Sequence, residues 1–156
     1  MKRLLLIVSA VLIAIGMRDV STQGHPDFSG LWKQNMEKSS KTSLESYANR
    51  VEQHGEALKV TTITGGAHGE SSYDRNYVIG SESRSNDREG DQITSVVRWE
   101  SAVLVFLTRE TEKSGTVELR ETWTLSPDGK TLTKVRTSHG PRGDMEQHYV
   151  LERSRE

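Results

Sequence analysis

Residues 116–138 read TVELRETWTLSPDGKTLTKVRTS. Val117, Leu119, Trp123 and Leu125 alternate with Glu118, Arg120, Thr122 and Thr124. Alternation with a period of two is the mark of a half-buried strand. Ser126-Pro-Asp-Gly129 then supplies a type I turn signal. Proline sits where φ is preset and glycine where φ can turn positive. A second β-rich run, 131–138, follows at once. The segment therefore predicts a hairpin, and its period extends in both directions.

Toward the C-terminus, Met145, Tyr149, Leu151 and Arg153 alternate with Glu146, His148 and Glu152. Toward the N-terminus, Ile93, Val97 and Trp99 form another set. Residues 103–107, VLVFL, are apolar at every position, which fits a strand covered on both sides. β-Branched and aromatic residues fill these runs, as strands prefer. The pattern predicts strands over 28–35, 47–53, 57–64, 71–79, 92–99, 103–110, 116–125, 131–138 and 145–153, nearly all joined by hairpin-length turns. The gaps at 36–46 and 80–91 are longer, and the second is polar and serine-rich, a loop signature. Neither a long helix nor an internal repeat is evident. An antiparallel meander of this length leaves exposed edges unless it closes, and up-and-down closure is the economical solution. The expected fold is all-β: one up-and-down antiparallel barrel of about 8–10 strands, with an open sandwich as the rival.

Residues 1–24 stand apart. Lys2 and Arg3 precede an uncharged apolar run from Leu4 to Gly16, followed by small residues. That is the layout of a secretory signal peptide, and the run is shorter than the roughly 20 residues a membrane-spanning helix needs. Cuts after Gly16 or Gly24 both suit it. The expectation is an exported protein, periplasmic or secreted, whose folded domain is 25–156. The chain has no cysteine. Disulfides, a thiolate nucleophile and a Cys-ligated metal are thereby excluded. With a net charge of −1 and both signs interspersed, the surface lacks the basic field that nucleic acid or anionic lipid would require.

Near the expected mature N-terminus stands Phe28-Ser-Gly30-Leu-Trp32. The F-x-G-x-W pattern resembles the opening block of the lipocalins and the wider calycin barrels. In those families the tryptophan closes one end of the barrel and commonly packs on an arginine of the last strand. That resemblance implies a lipocalin-like barrel and assigns Arg153 as the arginine. A wider resemblance, over most of 26–153, is to small exported bacterial proteins with an F-S-G-x-W start and a T-W-T-L-S-P-D-G-K-T-L hairpin. It implies no settled ligand or activity. The second lipocalin block, a T-D-Y loop, has no clear counterpart here. On physical grounds, Phe28, Gly30, Trp32 and Arg153 read as a structural motif. The two rings bring large buried area, and an indole can carry a guanidinium on its face.

Chemistry-bearing residues are few. His25, His54, His68, His139 and His148 lack metal-ligand spacing, so no metal and no cofactor are expected. A G-x-S-x-G elbow is missing, and GGAHGE at 65–70 lacks the Lys-Ser/Thr ending of a phosphate loop. No catalytic residue is assigned. Glu121 shares a strand face with Leu119 and Trp123, and Gln147 with Tyr149. If those faces look inward, Trp99, Phe106, Glu121, Trp123, Gln147 and Tyr149 are the candidate lining of a pocket for a small apolar or amphipathic molecule. Two alternatives stay open: a filled barrel serving a structural or interaction role, and an enzyme using Glu121 as acid or base.

Overall fold

A computed structural model describes residues 24–86 and 90–155. The apolar N-terminal run read as a signal peptide lies outside them. The described residues form ten strands: β1 Gly30–Gln34, β2 Ser46–His54, β3 Ala57–Gly66, β4 Gly69–Val78, β5 Glu82–Asn86, β6 Gln92–Glu100, β7 Val103–Glu112, β8 Gly115–Leu125, β9 Thr131–His139 and β10 Met145–Ser154. All pairings are antiparallel. The spatial order is β4-β3-β2-β1-β10-β9-β8-β7-β6-β5. Apart from β4 and β5, which do not pair with each other, every strand pairs with its sequence neighbours, and β1 closes the chain onto β10. The ladder of the described residues is thus broken between β4 and β5. The barrel is of the up-and-down kind, and nearly closed.

The nine expected strands lie within two residues of their observed bounds; the tenth, β5, was not expected. Glu82-Ser-Arg-Ser-Asn86 carries no apolar residue, so it has no hydrophobic period to read. Its pairing with β6, from Glu82 opposite Val96 to Asn86 opposite Gln92, makes it a strand. Such a short, charged edge is also what protects a sheet end from adding further strands.

Turn chemistry sets the registers. In the β8–β9 turn, Gly129 takes φ +66°. Its N–H donates to the Ser126 carbonyl at 2.8 Å, and Asp128 accepts from the Lys130 N–H at 3.1 Å. This turn places Leu125 opposite Leu132, Trp123 opposite Lys134, and Glu121 opposite Arg136. In the β2–β3 hairpin, Gly55 at φ +59° occupies the first of two turn positions, a place that favours glycine in tight hairpins.

Inward side chains fill one end of the barrel with Phe28, Trp32, Val51, Leu58, Val97, Leu104, Leu132 and Leu151, all buried. Ile79 plugs the β4–β5 corner. Its N–H donates to the Glu56 carbonyl (2.8 Å), and the Gly80 N–H donates to the Val97 carbonyl (2.7 Å). The break between β4 and β5 is therefore pinned at this end.

Trp32 sits at the same end. Its indole N–H donates to the Phe28 carbonyl at 2.7 Å. The Arg153 guanidinium lies 4.2 Å from the Trp32 ring centroid. It donates to the Ser29 carbonyl at 2.6 Å and to the Gly129 carbonyl at 3.0 Å. One arginine thus ties β1, β10 and the β8–β9 turn together. Gly30 takes φ +131°, and a Cβ there would lie 2.6 Å from Arg153 Nη1. Both its conformation and the space beside it require glycine.

Candidate functional site

The β8–β9 register builds the polar part of the interior. Two neighbouring inward rungs run across four strands. One is Leu104, Trp123, Lys134 and Tyr149; the next is Phe106, Glu121, Arg136 and Gln147. They place a carboxylate and two cations together inside the barrel.

Lys134 is buried at 2% exposure. Its ammonium meets three oxygens: Tyr47 Oη at 3.0 Å, Asn49 Oδ1 at 3.0 Å and Glu121 Oε1 at 3.2 Å. Three oxygens match the three protons of a lysine. The ammonium also lies 4.8 Å from the Trp123 ring centroid. The Trp123 indole N–H donates to Glu121 Oε1 at 2.6 Å, and Arg136 Nε donates to Glu121 Oε2 at 2.7 Å. Tyr47 donates to Asn49 Oδ1 (3.1 Å), and Asn49 donates to Thr62 Oγ1 (3.0 Å). A continuous polar network therefore runs from β3 through β2 and β9 to β8.

Charge in this network is settled by pairing. Burial alone would keep the Glu121 carboxyl neutral. The positive charges of Arg136 and Lys134, with the Trp123 hydrogen bond, outweigh it and hold the pKa down at about 2. For Lys134, burial opposes the charge, and the Glu121 carboxylate leads the contacts that more than restore it. The Glu121 charge likewise holds Arg136 protonated. A carboxylate kept ionised to such low pH is poorly matched to proton transfer near neutrality, where a catalytic acid or base needs a pKa close to the working pH. Glu121 here is a counter-ion.

Beside the network lies a cavity of about 60 Å³, lined among others by Tyr73, Arg75, Tyr77, Phe106, Glu121 and Arg136. Its lining holds three basic side chains, Arg75, Lys134 and Arg136, against one carboxylate. Apolar surface comes from Val60, Phe106, Leu119 and Trp123. Tyr77 meets the Phe106 ring edge-on, with centroids 5.3 Å apart.

Of the six residues expected to line a pocket, Phe106, Glu121 and Trp123 do so. Gln147 and Tyr149 share the same rungs but are not part of the cavity's lining. Gln147 accepts from the Tyr149 hydroxyl at 2.9 Å, and the Tyr149 ring stacks on Tyr47. Trp99 is elsewhere. Although level with Leu104 in register, it lies near the end of its strand at the apolar end, stacked between the rings of His25 and Phe28 at 4.3 and 5.9 Å. Tilted strands slope a rung along the barrel axis, so residues level in register need not share a layer. Lys134, Arg136 and Arg75 were not among the expected residues. Their signal was available for two of them: Lys134 and Arg136 have the same parity as Leu132, and the SPDG turn fixes which residues they oppose. Among the described residues, no group of three or more acidic, histidine or cysteine side chains is arranged to hold a metal ion.

Three solved structures share this fold. The REP1-NXSQ fatty acid transporter is 10% identical, with a TM-score of 0.59 over 82% of this chain and 96% of that one. Human cRBP IV is 17% identical, with a TM-score of 0.59 over 83% and 99%. Lipid binding protein 8 of Caenorhabditis elegans is 10% identical, with a TM-score of 0.62 over 81% and 95%. No protein-family model and no curated protein matches the sequence. The likeness is one of fold: the described residues form a ten-stranded, up-and-down, lipocalin-like barrel.

Proposed function

We propose that this protein binds one small amphipathic molecule, with an acidic group, in the polar half of its barrel. The observation that carries the reading is the excess of cations around the interior cavity, three basic side chains to one carboxylate. Charges are rarely buried without partners, and Glu121 already serves two of the three. The third, Arg75, has only a 3.7 Å contact with Glu110; an acidic group entering the cavity would give it a nearer partner, while Phe106, Trp123 and Leu119 offer apolar contact to the rest of the molecule. The fatty-acid and lipid associations named for two of the barrels above fit the same class of ligand.

Size sets a limit. A volume of about 60 Å³ has room for a few waters and is well below the roughly 300 Å³ of an ordinary ligand pocket. The cavity as it stands admits a head group. A longer ligand needs the break between β4 and β5 to part, with its tail emerging there. The same small volume favours a second reading, a barrel that is essentially filled and works through its surface.

Resemblance in the F-S-G-x-W start and the SPDG hairpin supports placing the chain with small exported bacterial barrels, and the N-terminal run supports export. Native mass spectrometry of the protein isolated from its host tests these readings together. The expected result is a chain shortened by removal of the leader, carrying an acidic small molecule that dissociates on denaturation. A full-length chain would remove the export reading. A bare barrel that also fails to take up added decanoate would favour the filled one.

A further inference from the structure

The three cavity cations are not equally engaged. Lys134 has three oxygen partners within 3.2 Å, and Arg136 is bonded to Glu121 at 2.7 Å. Arg75 is held differently. Its ion-pair partner is Glu110, with Nη1 and Oε1 3.7 Å apart, beyond hydrogen-bond distance. Its guanidinium also lies 5.5 Å from the Tyr73 ring centroid. Both Arg75 and Glu110 side chains are 27% exposed, so the pair is neither dry nor freely solvated.

Position matters as much as distance. Arg75 is on β4, and Glu110 is on β7. Glu110 is level with Ile93 of β6, which is level with Ser85 of β5. The pair therefore spans the unladdered break between β4 and β5, on the side away from the pinned corner at Ile79 and Gly80. Arg75 lines the cavity and Glu110 does not.

We infer that Arg75 is the exchangeable cation of this site: in the empty barrel Glu110 holds it across the break, and an anionic ligand group takes Glu110's place. The inference rests on the anionic-ligand reading above. It assigns Arg75 as the residue that selects for charge, and Glu110 as an internal competitor that ties β4 to β7 across the break when no ligand is bound. Glu121 does not play that part, because its two cations leave it no freedom to move away. The ion pair is long and partly hydrated, so exchanging its carboxylate for another is a small perturbation of the barrel.

Fluorescence titrations with two probes test this: 1-anilinonaphthalene-8-sulfonate, which is anionic, and N-phenyl-1-naphthylamine, which is neutral. In Glu110→Gln the sulfonate should bind about three- to fivefold tighter, the size expected for loss of one partly exposed ion-pair competitor. Affinity for the neutral probe should stay as in the wild type. In the double variant Arg75→Gln/Glu110→Gln the gain should vanish, since a cycle isolates the coupling between the two residues. Unchanged sulfonate affinity in Glu110→Gln overturns the inference. So does an equal gain for both probes, which would mean a merely loosened barrel. Should the wild type bind neither probe, the anionic-ligand reading itself fails, and the inference with it.

Discussion

Trp32 owes its place to three neighbours. The Phe28 carbonyl accepts its N–H, Arg153 covers its face, and Gly30 leaves room for the guanidinium that does so. Each link is weak beside the area that the indole buries, but together they fix where the first strand meets the last. That is a structural task, at the end of the barrel remote from the cavity cations. Trp32→Ala should therefore cost about 3–5 kcal/mol of stability, the range for large core aromatics. Gly30→Val should cost at least about 1–2 kcal/mol through its positive φ alone. Denaturant melts measure both. The fraction of each variant that remains folded should bind an anionic probe like the wild type. Unchanged midpoints would remove the structural role, and selective loss of binding would make the motif a site.

At the scale of elements, the β8–β9 hairpin decides most. Its turn fixes the register, and the register sets Trp123 against Lys134 and Glu121 against Arg136. Removing one member of a buried charge cluster leaves another unpaired, so Glu121→Gln should destabilise by about 3–5 kcal/mol. Replacing Lys134 by Met in the same chain should recover part of that loss. The pH dependence has a definite sign. Glu121 titrates at about 2 in the folded barrel against an ordinary 4.5, so it contributes stability at pH above 4.5 and loses it as pH falls toward 2. The loss is about 3 kcal/mol, because each tenfold difference in proton affinity between folded and unfolded chains is worth about 1.4 kcal/mol. Denaturation midpoints between pH 5 and 2 should fall more steeply in the wild type than in Glu121→Gln. Parallel slopes would mean that Glu121 is not a counter-ion.

The hairpin also shows what a strand pattern conveys. Period two located nine strands, and the turn chemistry of SPDG could be read directly from its residues. Glu121 was recognisable as an inward carboxylate because apolar neighbours on β8 mark its face. Lys134 and Arg136 were not, because charged residues on a strand normally signal the solvent side, and only Leu132 argued otherwise. Strand β5 was invisible for a related reason: pairing, not hydrophobic burial, makes it a strand. Arg75 belongs to an edge strand and meets Glu110 only through closure of the whole barrel. No local pattern contains that meeting.

For the whole molecule, two properties combine. One end is a packed apolar plug, and the other holds a buried polar network beside a small cation-rich cavity. The break in the ladder is pinned at the plugged end and bridged by Arg75 and Glu110 nearer the cavity. On the proposed reading, the barrel would take in a head group beside the network and leave the apolar core undisturbed. Its selectivity should be for charge first and for shape second. The measurement that tests this most directly is a 1H–15N NMR titration of the folded protein with decanoate and, separately, with decanol. Saturable shifts with decanoate at the Trp123 indole, the Arg75 and Arg136 side chains and the β4 amides, and much weaker ones with decanol, are the predicted result. Equal responses to both compounds, or shifts confined to the outer surface, would contradict the account.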